Sequence, residues 1–448
     1  MERIGKCVVL LARVWLVFFL IMTSDGLAGN SGQETTGQAP KSGEEPSVEK
    51  PSGESERITV DDLVTTAMER NPSIKAVQQT VEAKKARVIA EKTLPDPTVS
   101  FQTMGDPFPF NLQEGDPSSG RFFTLEQEIP FPGKLGLKGK IASAEADVQS
   151  WNHEQTRRQV VADVKKAFYD HFLIHRSIEI IEENRGVLEN FAQVAESKYR
   201  VGQGTQQDVL KAQVEISKLI DRREVLDQRL KISEALLNSL LYLPPDSPLG
   251  KPAEFEKAEL RYSLEELYNL ALQGAPTLKM QEQEIERNQQ AVKLAKRNYY
   301  PDLAVGFTWV NRDDMPEMYG LMVKASVPVY FWRKQRPELD AAKLDLASAQ
   351  KQRDSVSSTL YYNVRDAYTV AATSERLADL YKTTVVPQAS LSLESAFASY
   401  QVGAVDFLTL MDSVITLLDY QLKHYESLTE FQKALAQLEP LVGVELTK

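Results

Sequence analysis

The chain has 448 residues, of which 42% are hydrophobic, enough apolar content to build more than one ordinary core and too much for a wholly disordered polypeptide. Its 52 Lys plus Arg stand against 63 Asp plus Glu, a formal charge of −11. That balance lacks the cationic footprint that nucleic acid or anionic lipid requires, so nucleic acid is excluded as an expected partner.

Arg3, Lys6 and Arg13 precede the apolar run Val14 to Met22, which leads into Gly26-Leu27-Ala28. A basic start, a short apolar stretch and a small-residue site make a secretory signal peptide over residues 1–28, with cleavage expected after Ala28. An uncleaved anchor is the weaker alternative, because the run is about nine residues and a spanning helix needs roughly 20. The only cysteine, Cys7, lies ahead of that run and cannot be the lipidated first residue of a mature lipoprotein. The exported chain is expected to lack thiols and disulfides, in keeping with an oxidising envelope compartment. No later apolar run approaches spanning length, so insertion into a membrane must use strands. Residues 29–56 are rich in Gly, Ser, Glu, Pro and Gln and bury too little apolar surface to offset their ordering entropy. They read as a flexible leader, or alternatively as an arm along a neighbouring subunit.

The rest of the chain is written twice, with a period near 200 residues. Ile58-Thr-Val-Asp-Asp-Leu63 and its continuation to Pro72 match Tyr262-Ser-Leu-Glu-Glu-Leu267 and its continuation to Pro276. The segment Thr93 to Phe101 matches Asn298 to Phe307, Glu128 to Lys134 matches Ser326 to Lys334, and Tyr199-Arg-Val201-Gly202 matches Tyr400-Gln-Val402-Gly403. Four landmarks in one order imply duplication of a whole half, far longer than a solenoid unit. The boundaries expected from this are 57–257 and 258–441 for the repeats and 442–448 for a C-terminal tail.

Each half begins with a short helix, an X-Pro step and a second helix. Strand alternation follows: Leu303, Val305, Phe307 and Trp309 alternate with small or polar residues, as do Tyr319, Leu321, Val323, Ala325 and Val327. In the first half, Val99 and Phe101, then Phe123, Leu125 and Ile129, do the same. Next comes a stretch of good helix formers from Lys140 to Val201, roughly 90 Å of helix at 1.5 Å per residue. Val161, Val164, Phe168, Ile178, Ile181, Leu188 and Phe191 mark a coiled-coil seam along it. A partner helix follows the Val201-Gly202 break. The second half repeats this with helix from about Pro337 to Tyr400, which Pro387 should kink or divide, and from Asp406 to about Leu438.

Strands of about ten residues with one apolar and one polar face suit a membrane barrel. Four strands cannot close, since small barrels need about eight and open edges are not tolerated in hydrocarbon, so several subunits must pool their strands. A soluble four-stranded sheet packed on helices is the competing reading. The expected fold is therefore mostly α, with long coiled-coil helices and four strands per subunit. Expected lipid-facing residues are Leu303, Val305, Phe307, Trp309, Leu321, Val323 and Val327.

The duplicated halves, the two Tyr-x-Val-Gly turns and the segment Glu126-Gln-Glu-Ile-Pro-Phe-Pro-Gly-Lys134 resemble the TolC family of outer-membrane efflux proteins, in particular its heavy-metal, CzcC-like branch. The resemblance covers about Ile58 to Leu441. It implies an outer-membrane homotrimer in which twelve strands form a β-barrel continued by an α-helical barrel across the periplasm. A periplasmic adaptor and an inner-membrane pump of the resistance-nodulation-division type would complete the export path for metal ions or drugs. The resemblance places Tyr199, Val201, Gly202, Tyr400, Val402 and Gly403 at adaptor-docking tips. It places a pore aperture at Asp412 and Thr409, with Asp208 as a first-half counterpart; the family pattern has a second aspartate where Thr409 stands. Protein secretion and a role as adaptor are the alternative functions, although an adaptor needs neither two helical hairpins nor four strands.

Enzyme chemistry has little to work with. His171 and His175 are spaced to share a metal but lack a third ligand and continue the Phe168–Ile178 seam. His153-Glu154 lacks the second histidine of a metalloprotease motif, Arg157 standing in its place. No phosphate loop, nucleophile elbow or dinucleotide fingerprint is present, and no cofactor is expected.

Overall fold

The computed structural model describes residues 57–105, 112, 116–312 and 315–447; the expected signal peptide with Cys7, and the leader, lie outside them. The first half holds α1 (Val60–Arg70), α2 (Pro72–Lys92), β1 (Thr98–Met104), β2 (Gly120–Ile129), α3 (Lys134–Arg200) and α4 (Gln206–Leu240). The second holds α5 (Leu264–Gly274), α6 (Pro276–Arg297), β3 (Asp302–Asn311), β4 (Met318–Ser326), α7 (Gln335–Leu380), a π-helical turn (Tyr381–Val385), α8 (Val386–Gln401) and α9 (Phe407–Val442).

The start of each half is set by local chemistry. Thr59 and Asp62 form a capping box on α1, and Ser263 and Glu266 form the same box on α5. Each box satisfies two backbone donors that the first turn leaves open. Pro72 and Pro276 then open α2 and α6, where a missing N–H costs nothing. Leu63 and Ala67 of α1 pack with Val164, Phe168, Leu237 and Leu241, and their counterparts Leu267 and Ala271 of α5 pack with Val364, Phe431, Leu435 and Leu438. Leu267 is fully buried, a contribution of about 1.5–3 kcal/mol.

α3 runs for 67 residues, about 100 Å, starting six residues earlier than the sequence suggests and passing through Gly186 unbroken. It packs along α2, α4, α6 and α9, and so binds both halves together. A third cluster lies along this seam, with Ile181, Leu188, Phe191, Leu219, Phe407, Leu410 and Val414 among its members. The expected break at Pro387 takes the form of the π-helical turn before it. Proline has no N–H for the carbonyl of Thr383 and its ring crowds that carbonyl, so the preceding turn widens while the axis continues.

The strands form one antiparallel sheet in the order β1-β2-β3-β4. β2 of the first half pairs with β3 of the second, Thr124 facing Thr308, so the sheet too crosses the duplication. β1 and β4 are left as edges.

Candidate functional site

The sheet sorts its side chains by pleat. Val99 and Phe101, Phe123 and Leu125, Leu303, Val305, Phe307 and Trp309, and Tyr319, Leu321 and Val323 share one face, because the register sets Val99 on Leu125, Leu125 on Phe307 and Phe307 on Leu321. This apolar face is open: Leu321 is 78% exposed, Val323 67% and Phe307 49%. Val327 falls one residue past the last paired position of β4 and is likewise exposed. On the opposite face the Thr124 and Thr308 hydroxyls lie 2.9 Å apart, and Lys324 on β4 pairs with Glu126 on β2 across the small residues Ala304 and Gly306 of β3.

Near the loop end, Phe101, Phe123, Trp309 and Tyr319 form one row across all four strands. Ring centroids lie 4.8 Å apart for Phe101–Phe123 and 5.1 Å for Phe123–Trp309. The Trp309 indole N–H and the Tyr319 hydroxyl both donate to Glu317, at 3.2 and 3.1 Å. Rings with an apolar body and a hydrogen-bonded polar tip are the side chains that settle where hydrocarbon meets water. At the other end, Tyr330, Phe331 and Trp332 are exposed, and the Trp332 ring meets each of the other two edge to face. Single-residue reading missed the four-ring row, which appears only once the register is known, and passed over Tyr330 to Trp332 although they are adjacent in the sequence.

The helical hairpins turn at two matching tips. After Val201 the chain enters the left-handed region at Gly202, φ 73°, with Gly202 N–H donating to Tyr199 and Gln203 N–H to Lys198. Gly403, φ 76°, repeats both bonds with Tyr400 and Ser399. This double reversal closes the last carbonyls of each helix and needs a residue free of a Cβ at its bend. The tips differ in burial: Tyr199 is 46% exposed, whereas Tyr400 is 5% exposed beneath Lys198 and beside Phe407. Burial, and then the charge of Asp208, push the Tyr400 hydroxyl above its usual range.

The expected aperture residues have local duties. Asp208 is half-buried and its carboxylate accepts the Thr205 N–H at 3.1 Å, closing a capping box on α4. At the equivalent place on α9 the roles are exchanged: Asp406 is the cap, and the Thr409 N–H and hydroxyl donate to it at 2.9 and 2.5 Å. Those bonds, the hydroxyl's first, hold the Asp406 carboxyl below its ordinary range. Asp412 is exposed one turn beyond Thr409. An open groove of about 560 Å³ at the first tip is lined by Asn190, Gln193, Val194, Ser197, Lys198 and Val201.

Among the described residues no cluster of three or more His, Cys, Asp or Glu is placed to hold a metal. His171 is fully buried and bonds Ser233 through Nδ1 at 3.2 Å, with its ring 4.6 Å from that of His175. Burial, and then His175, lower it to about 4, so it is a neutral seam side chain at neutral pH. No described helix is long and apolar enough to cross a membrane.

Comparison with known proteins agrees with this geometry. Over 396 residues the chain is 19% identical to the cobalt-zinc-cadmium resistance protein CzcC of Cupriavidus metallidurans, covering 86% of this chain and 90% of that one. Its fold is similar to CusC, described as forming a transmembrane channel, with a TM-score of 0.75 at 14% identity over 88% of this chain and 95% of that one. It is similar also to the outer membrane protein VceC of Vibrio cholerae, with a TM-score of 0.74 at 14% identity over 86% and 96%. Residues 63–241 and 267–444, one block from each half, match the outer membrane efflux protein family, and the chain belongs to that family.

Proposed function

We propose that this outer-membrane efflux channel subunit works as a homotrimer, three sheets closing into a twelve-stranded barrel continued inward by the paired helical hairpins. The observation that carries the reading is the open apolar face of a four-stranded sheet with two free edges. In water that face loses about 25 cal/mol for every Å² left exposed. In a bilayer it is the required lipid surface, and closure removes the edges.

The tips at Gly202 and Gly403 are the docking points of a periplasmic adaptor, which links the channel to an inner-membrane pump of the resistance-nodulation-division type. Asp412, exposed about two to three turns beyond the Gly403 tip, lines the aperture in this reading, where three copies of one carboxylate favour cations and respond to divalent ions. Asp412→Ala is expected to leave assembly intact and reduce cation selectivity in a planar bilayer; unchanged selectivity removes Asp412 from the aperture. The chain passes solutes and performs no catalysis.

The cargo is divalent transition-metal ions, a reading supported by the similarity to a protein named for cobalt, zinc and cadmium resistance. Deleting the gene and comparing growth inhibition by zinc, cadmium and cobalt with that by a panel of hydrophobic drugs tests it. Sensitivity to the metals alone supports the assignment, and sensitivity to the drugs alone overturns it.

A further inference from the structure

We propose that β4 of one copy pairs with β1 of the next in the register that β2 and β3 use within the chain. This rests on the closed-barrel reading above and specifies which residues of the second copy meet which residues of the first.

The duplication is reproduced pair by pair. Thr98 faces Glu126, and their counterparts Ala304 and Lys324 face each other; Phe101 faces Phe123, and their counterparts Phe307 and Leu321 face each other.

One junction between repeats lies inside the chain. There Leu125 faces Phe307 and Phe123 faces Trp309. Beside it the Lys134 ammonium, nearly buried, donates to both carboxylate oxygens of Asp302 at 2.9 Å and to the Tyr300 carbonyl at 3.1 Å, while the Phe131 N–H donates to the same carboxylate at 2.6 Å. In a closed ring of repeats every second junction is instead β4 against β1 of a neighbour, the two strands that end the sheet. Carrying the pairs across by their counterparts sets Val323 on Phe101 of the next copy, Ala325 on Val99 and Leu321 on Thr103.

The side chains of the two edge strands agree with that seam. Val323 and Ala325 meet Phe101 and Val99 on the same apolar face, whereas a slip of one residue would turn one strand's apolar side chains to the polar face. The row Phe101, Phe123, Trp309, Tyr319 then continues to Gly105 of the next copy, a climb of four residues over four strands. With about 3.4 Å per residue and about 4.8 Å between strands, the strands tilt by about 35°, within the usual range for barrels.

The exported chain carries no cysteine, so paired substitutions report the seam directly. Facing residues on antiparallel strands lie about 4.5–5.5 Å apart between Cα atoms, within disulfide reach, while diagonal ones lie at about 7–8 Å. Purified trimers of Val323→Cys/Phe101→Cys should link covalently on mild oxidation, at least tenfold faster than Val323→Cys/Thr103→Cys. Preferred linkage to position 103 in particles of trimer mass overturns the register while leaving the barrel standing. Linkage by neither pair, in particles of monomer mass, overturns the barrel itself.

Discussion

The Lys198 ammonium lies 4.3 Å above the ring of Tyr400 and donates to the carbonyls of Tyr400 and Gln401. It thereby joins the end of the first hairpin's leading helix to the end of the second's, with a cation placed on the negative end of α8. The half-exposed cation–π contact contributes about 0.5–1 kcal/mol and a hydrogen bond from a charged donor about 1.5–3 kcal/mol. Lys198→Met keeps the aliphatic stem and removes both. The tips should separate more readily, raising single-channel conductance in a planar bilayer; conductance equal to the wild type would free Lys198 from any role in holding the entrance.

Tyr242 occupies the left-handed region, φ 57°, at the place where the second repeat has Gly443, φ 81°. A side chain there costs about 1–2 kcal/mol, and Tyr242 is largely exposed and packs little. Tyr242→Gly should raise the melting temperature by a few degrees, less the entropy glycine adds to the unfolded chain. Gly403→Val should lower it, although nothing lies within 4 Å of its added Cβ, because the cost is in the backbone. A loss in the first variant or none in the second would contradict this.

The short helices, the strand faces, the long hairpins and the tips were legible in the sequence because each rests on local periodicity or on Gly and Pro at fixed offsets. The start of α9 was less legible. Reading residue by residue shows Thr409 only as a departure from a family pattern, and not that it donates twice to Asp406, the cap three residues earlier. Lys198 on Tyr400, Lys134 on Asp302 and the aromatic row join residues about 200 positions apart, and no short-range pattern carries such pairings. The Lys134–Asp302 pair had a usable signal, a lysine and an aspartate at the strand–helix joints. It needed the cross-repeat register to connect them.

Val323 and Met322 lie side by side on β4 but on opposite faces. Val323→Arg should cost roughly 2–4 kcal/mol of insertion free energy near the bilayer midplane, whereas Met322→Arg, beside Lys324 on the polar face, should cost little. Recovery of each variant from outer-membrane fractions measures this. Equal loss of both would mean that the sheet is not lipid-facing.

The neutral form of His171 is favoured in the folded chain, where burial lowers its value to about 4 against an ordinary 6.5. Between those values the unfolded chain binds more protons, so stability should fall as pH drops from 6.5 towards 4, by up to about 3 kcal/mol per chain. His171→Leu leaves the Ser233 hydroxyl without its partner, about 1 kcal/mol at pH 7.5, but removes the pH term. Melting of the helical signal at pH 7.5 and pH 5 should show a smaller difference for the variant than for the wild type. The same difference in both would place the acid sensitivity elsewhere.

The mass of the detergent-extracted particle, measured by native mass spectrometry with strand content followed on the same sample, bears most directly on the channel. Three chains per particle, with no folded species of one chain, is the predicted result. A stable single-chain particle that keeps its four strands would contradict the closed barrel and return the apolar sheet face to some other use.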